Sequence, residues 1–284
     1  MTKDTNMRNV LLTGVAAVAL GFAAPAMAGT IGHIVLTGHD NDLHYAFGAT
    51  SGELATTTSE LKFVTAGSAL PVLVIDAGTQ AINIVNAAGF TAVGIAPGAV
   101  TAASFDPTLY SAFVVASVTT CGGCDNPVGT GATLAAFSGA IAAFFNAGGG
   151  ILGETAATDP TGFSYVPEAA TASPIFTSSG FVATANGLAD LPAGFQAING
   201  DQTHNTFSEP GTGGTSAVYK VAERFEPAGG TIPGPAVTLY ASGTIHCATG
   251  GVPPCTIIGV PEPLSLSLLG AGLFGLGAAR RFRR

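Results

Sequence analysis

Residues 132–155 read A-T-L-A-A-F-S-G-A-I-A-A-F-F-N-A-G-G-G-I-L-G-E-T, and this stretch decides the fold. Leu134, Phe137, Ile141, Phe144 and Phe145 recur at the spacing of one helical face, which predicts a helix over 132–146. Gly148, Gly149 and Gly150 stop it, and the apolar run 151–155 reads as a buried strand. Upstream, I-G-H-I-V-L-T (31–37), L-P-V-L-V-I-D (70–76) and A-F-V-V-A-S-V (112–118) are further continuous apolar strands, with a weaker one at 90–96. Helices are expected at 51–65 and 79–88, ended by Gly67 and Gly89. Strands that are apolar throughout and alternate with helices indicate a parallel sheet covered on both faces. In the second half, a helix is expected at 176–188, and strands at 218–225 and 236–245 read as antiparallel additions. Residues 227–235 form a turn-rich connector between those two strands. The fold class is therefore α/β: a three-layer sandwich with a mostly parallel sheet and antiparallel additions in the C-terminal half.

The chain has 284 residues, 47% hydrophobic and 9% charged, enough for one or two domains with a real core. Its charge is unevenly placed. Residues 29–259 keep only Lys62, Lys220 and Arg224 against fifteen acids, a balance of −12. Such a surface has no means of neutralising a row of phosphates, which excludes nucleic acid as a partner.

The two ends carry processing signals. Arg8, the apolar run 10–22 and Ala26-Met27-Ala28 have the order of a signal peptide, with cleavage expected after Ala28. The C-terminus reads Val260-Pro261-Glu262-Pro263, then sixteen uncharged residues (264–279), then Arg280-Arg281-Phe282-Arg283-Arg284. As a helix the apolar run would be about 24 Å long, with the arginines held on the cytoplasmic side. These three parts resemble the PEP-CTERM sorting signal. The resemblance implies an exported protein of a Gram-negative, exopolysaccharide-making bacterium. Signal peptidase and an exosortase are then its processing partners, the inner membrane a transient anchor, and the cell surface or matrix, with its exopolysaccharide, the destination. The expected organisation is a signal peptide (1–28), an α/β domain (29–246), a cysteine-containing linker (247–259) and the sorting signal (260–284).

The middle resembles the class I glutamine amidotransferase-like fold, a flavodoxin-like sandwich. The carrying segments are A-A-F-F-N-A-G-G-G-I-L-G-E-T (142–155) and L-T-G-H-D-N-D-L-H (36–44). That family places a cysteine nucleophile just after the strand at 151–155. Here the corner reads Gly153-Glu154-Thr155, so Thr155 stands in the nucleophile's place. His204 falls where the family keeps its histidine, without the Pro-Glu that follows there. The fold carries over and the reaction does not.

The densest polar cluster is His39, Asp40, Asp42 and His44, directly after the first strand and hence at the carboxyl end of the sheet, where open α/β sheets bind ligands. One reading is a polar turn in which Asp40 and Asn41 cap backbone amides. The other is a divalent-metal or acid–base site, since two imidazoles flank two carboxylates. Glu154, Asp201 and His204 would converge on the same edge in this topology. The catalytic candidates are His39, Asp40, Glu154 and His204; the metal candidates are His39, Asp40, Asp42 and His44. No cofactor is required, and a divalent metal is the one candidate.

Cys121, Cys124, Cys247 and Cys255 form an even set that reads as disulfides in an oxidising compartment. Local pairs 121–124 and 247–255 are the simplest arrangement; crossed pairs, a redox dithiol or a metal site at Cys121-Gly122-Gly123-Cys124 stay open. Two functions follow. One is a non-enzymatic surface or matrix domain that binds polysaccharide or other surface components. The other is an exported hydrolase acting at the His39–His44 edge.

Overall fold

The structure, a computed structural model, describes residues 31–50, 52–121, 125–247 and 255–259. The signal peptide with Ala28, Cys124, the 260–263 motif, the apolar run 264–279 and the basic tail lie outside the described residues. Among the described residues, no helix is long and apolar enough to cross a membrane.

The strands join one mixed sheet. Five run parallel, in the order β3 (Ala92–Ile95), β2 (Val72–Ile75), β4 (Ala112–Val115), β5 (Gly150–Gly153) and β1 (Gly32–Thr37). On the far side of β1 lies the long strand β10 (Ala236–Cys247), antiparallel from Gly32↔Gly243 to Thr37↔Thr238. The antiparallel extension continues through β8 (Thr203–Phe207) to β6 (Ala172–Thr177). It also includes β9 (Lys220–Phe225), β7 (Phe181–Ala183) and β11 (Cys255–Gly259).

Alternation along each strand sends side chains to two separate cores. Ile34, Leu36, Leu73, Ile75, Phe113 and Ile151 pack under α4 (Thr130–Ala135) and α5 (Ser138–Asn146), meeting Leu134, Ile141, Phe144 and Phe145. Val35, Val72, Val74, Val114 and Leu152 pack under α2 (Glu53–Thr65) and α3 (Gln80–Ala87), meeting Leu61, Val64, Ala81 and Val85. Burial on both faces is why these strands carry no polar alternation. Each large apolar side chain so buried contributes roughly 1.5–3 kcal/mol.

Three local readings change. The helix expected at 132–146 is two helices, because Ser138 and Gly139 are weak helix formers and Phe137 leaves helical geometry at φ −106 while packing on the core. The helix expected at 176–188 is broken: the end of β6 and all of β7 lie in it, separated by Gly180 at φ +93. Only α6 (Ala185–Asp190) is helical, capped by the Thr184 hydroxyl, which accepts the Gly187 N–H. Phe176 and Leu188 are exposed. The polar cluster is no simple turn, since α1 (Asn41–Ala46) starts within it. Two strands were also unforeseen, β8 and β11, the latter inside the segment read as a linker.

Two pieces of register position the rest. Gly32, Gly243 and Gly259 lie level across β1, β10 and β11 at the amino edge of the parallel block. At the carboxyl edge, the Gly38 carbonyl accepts the N–H groups of His204 (2.9 Å) and Asn205 (3.1 Å). That approach needs glycine, because a Cβ on Gly38 would stand 1.9 Å from the Asn205 carbonyl oxygen. Gly38→Ala is therefore expected to force β8 away and destabilise the full chain by about 1–3 kcal/mol, measured as a lowered midpoint in urea unfolding; an unchanged midpoint would contradict the packing described.

Candidate metal centre

Gly38 ends β1 and turns the chain, so that Asp40 occupies the position before the first turn of α1. Its side chain makes no capping bond there. His44 follows four residues later on the same helical face, with Nε2 3.2 Å from Asp40 Oδ1. The Gly38 contact fixes the start of β8, which brings His204 Nε2 to 3.1 Å from Asp40 Oδ2. One ligand atom each from Asp40, His44 and His204 lies within 4.8 Å of the others. Asp40 is fully buried, His204 nearly so, and His44 reaches the surface.

The electrostatics are those of a charged carboxylate between imidazoles. Burial alone would raise the Asp40 pKa, but hydrogen bonds and charge from His204 and His44 outweigh it and hold it below the ordinary value. Asp40 in turn raises His44. Even so, neither Asp40 oxygen makes a hydrogen bond of good geometry among the described residues, and His204 Nδ1 is buried without a partner. Buried polar atoms normally find partners, so these are atoms with ligating capacity to spare. Two imidazoles and one carboxylate are a donor set suited to zinc or another first-row divalent ion, leaving coordination positions open. The Gln202 carbonyl oxygen, 3.2 Å from His44 Nε2, lines the same space.

The other sequence candidates go elsewhere. His39 is not in the cluster: its Nε2 meets Glu223 Oε2 at 2.8 Å and its Nδ1 meets Thr203 Oγ1 at 2.7 Å, tying β1 to β8 and β9. Asp42 turns inward, accepting the Leu43 and Ser117 N–H groups, and burial raises its pKa to about 7. Glu154 accepts the Asn41 N–H at 3.3 Å, and burial first, then neighbouring acids, push it well above the ordinary range. Thr155 donates its hydroxyl to Asn205 Oδ1 at 2.5 Å, so it is engaged in joining β5 to β8. Asp201 does converge, with Oδ1 3.4 Å from His44 Nδ1. Of the cysteines, Cys121 is disulfide-bonded, and the register places Cys247 opposite Cys255.

Two buried acids on α2 escaped the sequence reading. Glu53 and Glu60 lie seven residues apart on a helix that also buries Thr56, Thr57 and Ser59. The available signal was their presence on a predicted helix in a chain with only 9% charged residues. Two clefts among the described residues lie away from the centre. One, of about 510 Å³, is at the amino edge beside His33 and Gly149; another, of about 390 Å³, lies beside Tyr219 and Arg224.

No family model, no curated protein and no solved structure matches the chain.

Glu60 is fully buried, and neither carboxyl oxygen has a hydrogen-bond partner among the described residues. Burial, then the Glu223 charge, raises its pKa well above the ordinary value. The folded state thus keeps a proton that the unfolded chain releases above the ordinary glutamate pKa, and stability falls as pH rises through that interval. Glu60→Gln should remove one proton's share of this loss, about 1.4 kcal/mol per pH unit, read from urea midpoints of the full chain between about pH 5 and 8. An unaltered slope would show that Glu60 ionises normally.

Proposed function

We propose that this chain is an exported, surface-sorted α/β domain that binds one divalent first-row metal ion through Asp40, His44 and His204. The observation that carries the metal reading is the meeting of three ligand atoms within 4.8 Å around a fully buried carboxylate that lacks hydrogen bonds of good geometry. Asp40 would supply a carboxylate oxygen, and His44 and His204 their Nε2 atoms. A metal there would act as a Lewis acid towards a bound water or a polar ligand.

The sorting half of the proposal rests on the sequence: the signal-peptide order ending at Ala28 and the PEP-CTERM-like 260–284 segment. On this reading, signal peptidase and an exosortase process the chain, and the domain is delivered to the surface or matrix to interact with exopolysaccharide. The finer fold assignment is flavodoxin-like. The order β3-β2-β4-β5 matches the first four places of the doubly wound 2-1-3-4-5 sheet, with the chain's own first strand in the fifth. Disulfides 121–124 and 247–255 complete it, the second supported by the β10–β11 register.

A second reading, hydrolysis at this edge, is favoured by one feature. Three protein ligands with His44 at the surface match open catalytic zinc sites better than closed four-ligand structural ones. Asp40 holds charge at the ligand position, and the buried Glu154, its pKa raised by burial and neighbouring acids, accepts the Asn41 N–H.

Elemental analysis of the full chain, purified in detergent without chelator, should find about one equivalent of zinc or a similar ion. His44→Ala/His204→Ala should lose at least about nine-tenths of it. Ester, amide and glycan substrates tested on the metal-loaded chain separate a hydrolase from a binding domain. Absence of metal from both proteins would overturn the metal reading.

A further inference from the structure

An imidazole that gives one nitrogen to a metal must carry its proton on the other, and the partner of that second nitrogen decides whether the ring is held in the binding tautomer. His44 presents Nε2 to the centre, 3.2 Å from Asp40 Oδ1. Its Nδ1 faces Asp201 Oδ1 at 3.4 Å.

The geometry points to Asp201 as the positioning residue of the metal centre, facing His44 Nδ1 so that the ring turns Nε2 toward the ion. This rests on the metal reading above and extends it to the residue behind the ligand. Two separate segments are thereby tied through one ring: α1 supplies His44, and the segment leading into β8 supplies Asp201 and the Gln202 carbonyl. His204 has no equivalent support, since its Nδ1 is buried with no hydrogen-bond partner among the described residues. The two histidines are therefore unequal: His44 is the pre-set ligand and His204 the adjustable one. Asp201 touches no reacting atom in this arrangement and acts through His44.

The probe is zinc alone, titrated into the full chain against a chelator of known affinity, with cobalt(II) absorption as the second readout. Asp201→Ala should weaken zinc binding by about 10–100-fold and alter the cobalt bands, which report ligand geometry. Asp201→Asn, which keeps an acceptor but not the charge, should fall between. Nitrogen-15 shifts of His44 in the zinc-loaded protein should show Nε2 on the metal and the proton on Nδ1 in the native chain, and a weakened Nε2 signature in Asp201→Ala. Asp201 is part-exposed at its side chain (22%), so the variants should fold; were Asp201→Ala to misfold, Asp201→Asn carries the same test. Native zinc affinity and unchanged cobalt bands in the Asp201 variants would overturn the positioning role while leaving the metal centre intact. A native chain that binds no zinc would remove both.

Discussion

One backbone oxygen accepts two N–H groups where β1 meets β8. The Gly38 carbonyl takes the amides of His204 and Asn205, and it does so because Gly38 has no side chain to hold the strands apart. Everything at the carboxyl edge follows from that approach. It sets the distance from Asp40 to His204, and it puts Asn205 where its side chain accepts from Thr155 and Ala156 and donates to the Ala157 carbonyl. It also lets Thr203 reach the His39 ring. Residues more than 160 positions apart become first neighbours through a contact that no side chain specifies.

This explains which parts of the molecule were legible in the sequence. The strands at 72–75, 112–115 and 150–153 were, because burial on two faces leaves an unbroken apolar run that few other environments produce. The helices at 53–65 and 80–87 were, because glycine stops them. Residues 176–188 were not: Phe176 and Leu188 face outward, and a hydrophobic pattern presumes that apolar means buried. At the site, Asp40, His44 and His204 could be named singly. Their meeting at one edge was legible from the topology, but not which of the cluster's histidines would face His204, since that depends on the Gly38 contact. His39 looked equal to its neighbours, but adjacent residues at a strand end point in different directions. It went to Glu223, on a strand that was expected beside β10, but which of its side chains faces β1 was not legible.

The cluster of acids beneath this edge is costly. Asp42, Glu60 and Glu154 are buried, and each holds its proton more tightly than a free carboxyl would. Asp40, equally buried, is held on the ionised side by two imidazoles instead. Asp40 and Asp42, two positions apart, are thus shifted in opposite directions. A fold selected only for stability would replace such groups with apolar ones of similar size. Their presence under an otherwise apolar sandwich marks this edge as the part shaped by something other than packing.

The level register of Gly32, Gly243 and Gly259 has a consequence for how the molecule stands. The chain enters the sheet and leaves it at the same pole, and the Asp40–His44–His204 edge is the opposite pole, the length of β1 away. From Gly259, residues 260–263 span at most about 14 Å before the apolar run at 264 begins. Because β11 is antiparallel to β10, as β1 is, the described chain reaches Gly259 running in the same direction as β1, toward the Asp40–His44–His204 edge and not away from it.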